Sequence, residues 1–134
     1  MASPPPRVVV VDDDDSILRM IRLALEAAGF EVESASSPIG VGALVRRVAP
    51  HVVVLDVSMP GLDGEGVAGL LAKSTGSRRL PVVFYSALDE DALHTLSKRT
   101  PDSTYVQKGS PLPALVDAVR RMARLYASEA PPSR

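Results

Sequence analysis

Cysteine is absent from the 134 residues, and histidine occurs only at His51 and His94. Without thiols there is no disulfide framework and no thiolate metal site, and two isolated histidines make a zinc centre a poor expectation. Also missing is any apolar run near the roughly 18 residues that would span a bilayer, or a charged-then-apolar leader. An excess of positive charge is lacking too: 15 basic residues face 16 acidic ones, for a net charge of −1. A domain that grips nucleic-acid phosphates is usually plainly basic, and the pairs Arg46-Arg47, Arg78-Arg79 and Arg120-Arg121 are too scattered to alter the balance. The expectation is a cytoplasmic protein with no membrane and no direct nucleic-acid partner.

What is present is apolar: hydrophobic residues make up 46% of the chain. A chain of this length fits one domain and can bury about 65–70% of its unfolded surface. The first six residues are Pro/Ser-rich and read as a disordered tail. The domain is placed at residues 7–127, with residues 128–134 as a second tail or a linker stub. Inside it, strand-like runs alternate with segments of helical period. Val8–Val11 forms a first strand, and Asp15 or Ser16 offers a cap for a helix that Gly29 ends. Further strands are expected near Phe30–Ser34, Val52–Leu55, Val82–Tyr85 and Thr104–Gln107. Helices are expected after Pro38, over about Glu65–Lys73 and Asp89–Lys98, and after a Ser110 cap with Pro111 in the first turn. Continuous valine runs imply strands covered on both faces. Five strands alternating with five helices give an α/β, doubly wound, parallel sheet whose ligand crevice lies at the carboxyl ends of the strands.

That rule brings a polar set to one rim. Strand one delivers Asp12 and Asp13, strand three Asp56, strand four Ser86 and strand five Lys108. Two ionised carboxylates about 5 Å apart at an effective dielectric near 20 repel by roughly 3 kcal/mol, so the cluster must protonate or bind a cation. A few carboxylates with open water positions suit Mg²⁺. Each residue alone has a plainer reading. Asp56 would be a cap or turn former, Asp12 to Asp15 a solvated acidic turn, Ser86 a turn hydroxyl, Lys108 a surface charge and Tyr105 strand packing. His51 and His94 are read as structural.

Taken together, the Asp pair after strand one, the stretch Asp56-Val57-Ser58-Met59-Pro60-Gly61-Leu62-Asp63-Gly64, Ser86-Ala87 and Lys108 after an aromatic resemble the receiver domain of two-component response regulators. The resemblance spans about Arg7 to Ala127. It implies a flavodoxin-like receiver fold with strand order 2-1-3-4-5. It further implies that Asp56 accepts a phosphoryl group from the phosphohistidine of a sensor histidine kinase or phosphotransfer protein. Mg²⁺ would be held by Asp13, Asp56 and the Ser58 carbonyl, with Asp12 acting through water; Lys108 and Ser86 would meet the phosphoryl oxygens. Such a protein catalyses its own phosphorylation and dephosphorylation without being a turnover enzyme on an external substrate. Ser86 and Tyr105 would form a switch that remodels the face of helix four, strand five and helix five. The partner there would be a downstream protein, a fused output domain or a second copy.

Departures and competitors bear on the site. Gly109 stands where the family usually has a cis-proline after the lysine; a cis bond before a non-proline residue costs about 2.5–4 kcal/mol, and the alternative is a loop shaped by glycine's permissive dihedrals. Of the four aspartates, Asp14 is expected to be solvated and Asp15 to cap the helix. Leu88, two residues beyond Ser86, cannot hold a water, which implies slow self-dephosphorylation. The run Gly64-Glu65-Gly66-Val67-Ala68-Gly69 spells a dinucleotide fingerprint, but Val57 to Asp63 separate it from its strand. A haloacid-dehalogenase-type phosphatase would need a second Asp two residues after the nucleophile, where Ser58 stands. The remaining alternative is a pseudo-receiver that works as an interaction module without phosphorylation, favoured by Gly109 alone.

Overall fold

The computed structural model describes residues 4–58, 64–73, 75–76 and 78–131. Five strands, β1 (Arg7–Val11), β2 (Glu31–Ala35), β3 (Val52–Leu55), β4 (Val82–Ser86) and β5 (Ser103–Gln107), form one parallel sheet in the order β2-β1-β3-β4-β5. Helices α1 (Asp15–Ala27), α2 (Val41–Val48), α3 (Gly64–Lys73) and α4 (Glu90–Arg99) make the crossovers, and α5 (Leu112–Leu125) follows the last strand. The architecture is the doubly wound one read from the alternation of runs. A single 3₁₀ turn at Ala127–Glu129 follows α5.

The valine runs are explained by two cores, one on each face. Val8 and Val10 of β1, Val52 and Val54 of β3, and Val83 and Tyr85 of β4 face Leu18, Ile21 and Leu25 of α1 and Leu115, Val119 and Met122 of α5. The intervening residues Val9, Val11, Val53, Leu55, Val82 and Phe84 pack with Val41, Val45 and Val48 of α2, Leu71 of α3 and Leu93 of α4. Because successive strand side chains point to opposite faces, a strand covered on both sides must be apolar at every position. Burying each such side chain stabilises the fold by about 1.5–3 kcal/mol. The winding reverses between β1 and β3, which opens the crevice between their carboxyl ends.

Three local expectations are corrected. Asp14, not Asp15, is the N-cap of α1: its carboxylate accepts from the Ser16 and Ile17 backbone N–H groups, and Asp15 lies in the first turn. The cap falls one residue earlier because Asp12 turns the backbone back, its Oδ1 accepting from Asp14 N at 3.0 Å. Asp14 is therefore a bonded cap and not merely a solvated acid. Ser110 does not cap α5. Its N–H bonds to Gln107 O at 3.2 Å, closing a turn around Gly109, and the helix starts at Leu112 with Pro111 before its first turn.

Arg7 and His51 are structural, the histidine as expected. The buried Arg7 guanidinium donates to Val48 O and Ala49 O at the end of α2, while its backbone N–H donates to His51 Nδ1 at 2.9 Å. A cation placed on orphan carbonyls at a helix C-terminus stabilises that end. Burial lowers the His51 imidazole below its ordinary value, helped by the charges of Arg7 and Arg78.

Candidate functional site

Hydrogen bonds that continue the strand ladders set the site residues in place. Asp12 N donates to Ala35 O, Asp56 N to Val11 O and Lys108 N to Ser86 O, at 3.1, 2.9 and 2.7 Å. Asp12, Asp56 and Lys108 are thus each the first residue beyond a strand, and Ser86 is the last residue of β4. The loop geometry that the lysine needs comes from Gly109 at φ +99°, a conformation that L side chains rarely adopt. No peptide bond among the described residues is cis. Glycine replaces the family's proline by its freedom of φ, as the sequence reading anticipated.

The crevice gathers Asp12, Asp13 and Asp56, whose carboxylates each offer an oxygen within 4.8 Å of the other two. Asp12 and Asp56 are buried and Asp13 is exposed. Lys108 Nζ sits 2.7 Å from Asp12 Oδ2 and 3.3 Å from Asp56 Oδ2, bridging the two buried acids. It also lies 5.9 Å from the centre of the Tyr85 ring. Asp56 Oδ1 is held from its own loop: Ser58 N donates at 2.9 Å and Ser58 Oγ at 2.7 Å. Ser86 is wholly buried, and its Oγ accepts from Leu88 N at 3.3 Å. Tyr105 is half-buried, its ring edge-on to His94 at 6.1 Å.

The charges are not balanced. Burial raises the Asp12 carboxyl above its ordinary value, and the neighbouring charge of Asp56 adds to this, against lowering by Lys108 and by the Asp14 N–H. Burial alone would lower the Lys108 ammonium, but contact with Asp12 and attraction to Asp56 outweigh it and raise it. The two shifts differ in origin: burial dominates at Asp12, and the two neighbouring acids dominate at Lys108. Asp12 Oδ2 meets Lys108 Nζ at 2.7 Å and, among the described residues, no other polar partner. At separations near 4.8 Å each carboxylate pair repels by about 3 kcal/mol at an effective dielectric of 20. Three carboxylates, two of them buried, that share a single ammonium fit a hard divalent cation with oxygen ligands, and Mg²⁺ in particular.

The strand-end rule brings together Asp12, Asp13, Asp56, Ser86 and Lys108, with Ser58 beside Asp56. The hydroxyl contact of Ser58 with Asp56 was not anticipated from the sequence. Its signal was the two-residue spacing after Asp56, at which short polar side chains form such turns. Residues Met59 to Asp63 of the quoted motif lie outside the described residues. The dinucleotide reading gains no support: Gly69 lies inside α3, and a Cβ there would meet nothing within 4 Å, so no close backbone approach requires the glycine.

Comparison with known proteins agrees with this geometry. The family model of the response regulator receiver domain matches residues 8–120. Response regulator PleD of Caulobacter vibrioides is 37% identical over 72 residues, covering 54% of this chain and 16% of that protein. The phosphate regulon transcriptional regulatory protein PhoB of Rhizobium meliloti is 28% identical over 105 residues, 78% of this chain and 46% of that one. The chain therefore spans less than half the length of these curated relatives. Among solved structures, the Francisella response regulator 1452 receiver domain superposes with a TM-score of 0.76 at 28% identity, covering 90% of this chain and 98% of that one. Chemotaxis protein CheY4 of Vibrio cholerae gives a TM-score of 0.79 at 22% identity, covering 88% and 98%. With the matched strand order and the acidic crevice at its switch point, this chain belongs to the family of response regulator receiver domains.

Proposed function

We propose that Asp56 is the phosphoryl acceptor of a two-component relay, loaded from the phosphohistidine of a sensor histidine kinase or phosphotransfer protein. The observation that carries this reading is the position of Asp56: a buried carboxylate between an ammonium and an acidic pair, in reach of a serine hydroxyl's loop. An Asp56 oxygen attacks phosphorus, a P–O bond forms, and the P–N bond to the imidazole breaks with its electron pair leaving on nitrogen. Lys108, already on Asp56 Oδ2, follows the charge onto the phosphoryl oxygens. The Ser86 hydroxyl accepts from Leu88 N and keeps its own proton free to donate to a phosphoryl oxygen. Asp12, Asp13, Asp56 and the Ser58 carbonyl are the groups that would hold Mg²⁺, which supplies charge neutralisation for the transferring group.

Ser86 and Tyr105 then carry the change outward. Inward movement of the hydroxyl makes room for the Tyr105 ring, which leaves its edge contact with His94 and remodels the face of α4, β5 and α5. The occupant of that face is a downstream protein, an output domain in the same polypeptide or a second copy of the chain. Among the described residues no helix is long and apolar enough to cross a membrane, and a cytoplasmic site of action suits the relay. On the relay reading, residues 7–127 are the receiver domain, with 1–6 as an N-terminal tail and 128–134 as a tail or a linker stub. The pseudo-receiver alternative finds no favouring observation, since Gly109 gives Lys108 its place on both acids.

Incubation with acetyl phosphate and Mg²⁺, followed by timed removal of both, tests uptake and lifetime together. Leu88 places an apolar side chain, 38% exposed, beside the crevice where a polar one would hold the hydrolytic water. The expected result is label that persists for minutes or longer. Loss within seconds would contradict the role given to Leu88, and no label at all would contradict the acceptor reading.

A further inference from the structure

The loop between β4 and α4 must let the Ser86 hydroxyl reach a phosphoryl group, yet it is tied on both sides of Leu88. The Leu88 N–H donates to Ser86 Oγ at 3.3 Å, and the Leu88 carbonyl accepts from Gln107 Nε2 at 3.1 Å. Gln107 is the last residue of β5, directly paired with Ser86 across the sheet and adjacent to Lys108. A carbonyl can only accept, so the amide nitrogen of Gln107 must face it. The side chain thereby fixes the loop by its backbone, at a position that any side chain at residue 88 would share.

We propose that Gln107 is a latch that positions the β4–α4 loop in the resting arrangement and opposes the turning of Ser86 toward Asp56. This rests on the acceptor reading and specifies a restraint on the same site. If Ser86 Oγ swings inward, the contact from Leu88 N breaks unless the loop follows, and the loop cannot follow while Gln107 holds the Leu88 carbonyl. Either route costs a hydrogen bond that exists only in the resting arrangement. The net contribution of one neutral hydrogen bond corresponds to roughly two- to tenfold in an equilibrium. Among the described residues the hydrogen bond of the Gln107 side chain is to Leu88 O and not to Asp12 or Asp56, so its effect on the site runs through Leu88 and Ser86.

The test uses the full chain with Mg²⁺ and beryllofluoride, a phosphoryl mimic, for wild type, Gln107→Met and Gln107→Ala. Methionine keeps the length and loses the donor; alanine removes both. Expected for each variant is beryllofluoride bound about two- to tenfold more tightly by titration calorimetry, with a matching rise in the rate of labelling by subsaturating acetyl phosphate. Mg²⁺ affinity should stay at the wild-type value, and the thermal midpoint should fall by no more than the loss of one neutral hydrogen bond allows. A merely structural side chain would lower the midpoint and would not tighten binding. Unchanged or weaker beryllofluoride binding in both variants overturns the latch while leaving the acceptor reading intact. A wild type that binds no beryllofluoride overturns the acceptor reading, and the latch with it.

Discussion

Replacing Lys108 by methionine should lower the stability of the metal-free protein by about 3 kcal/mol, and saturating Mg²⁺ should return most of the loss. Lys108 is the ammonium shared by Asp12 and Asp56, whose side chains are only 2% and 3% exposed. Removing it leaves two buried carboxylates and an exposed third, each pair repelling by about 3 kcal/mol unless one protonates. A divalent cation relieves the same repulsion, so the metal and the lysine are partly interchangeable for folding. They are not interchangeable for chemistry. Without the ammonium the phosphoryl oxygens lose a charged donor, and labelling by acetyl phosphate should slow by about a hundredfold. Urea unfolding with and without Mg²⁺ reads the first effect and single-turnover labelling the second. A stability loss that Mg²⁺ leaves unchanged would contradict the shared role.

Asp12→Asn should act in the opposite direction on stability: the metal-free protein gains about 1 kcal/mol, while Mg²⁺ affinity falls by about 10–100-fold. Asparagine keeps the shape and can turn its single acceptor oxygen to one of the two present partners of Asp12, the Asp14 N–H or Lys108 Nζ, and it carries no charge to desolvate. The pH dependence follows from the raised Asp12 carboxyl. In the window from its ordinary 3.8 up to its folded value, the folded state holds more protons than the unfolded one, so stability falls as pH rises. Above the window the penalty is constant, and it is this penalty that the variant removes. Wild type without metal should therefore lose stability through that window relative to Asp12→Asn, whose curve lacks the Asp12 contribution. Lys108 acts at the other end of the scale: raised above 10.5, its contribution is complete below that pH and is lost as pH climbs through the folded value. A destabilised Asp12→Asn protein, or one with intact Mg²⁺ affinity, would contradict the assignment of Asp12 as an unrelieved charge kept for the cation.

The sheet was legible because its valine runs carry two signals at once: length bounds each strand, and the lack of alternation says both faces are covered. From there, Val11 to Asp12 and Leu55 to Asp56 are places where an apolar run ends on an acid, and strand order alone puts those acids side by side. The caps were harder to read. Four consecutive aspartates are equivalent as letters, and only the turn made by Asp12 accepting from Asp14 N decides that Asp14 reaches the helix N-terminus. Ser110 has the composition of a cap, but the turn around Gly109 leaves it one residue short of the helix, so Pro111 takes the cap position and no side chain caps α5. The Gln107 latch was invisible for a further reason: its partner is a backbone carbonyl, which every residue possesses and no sequence pattern marks.

The central claim is that Asp56 and no other carboxylate in the crevice accepts the phosphoryl group. Intact-mass measurement after incubation with acetyl phosphate and Mg²⁺ tests it most directly, on wild type and Asp56→Asn in parallel. One phosphoryl increment on the wild type, abolished by chelator and absent from the variant, is the predicted result. An increment that survives Asp56→Asn, or none on the wild type, would contradict it.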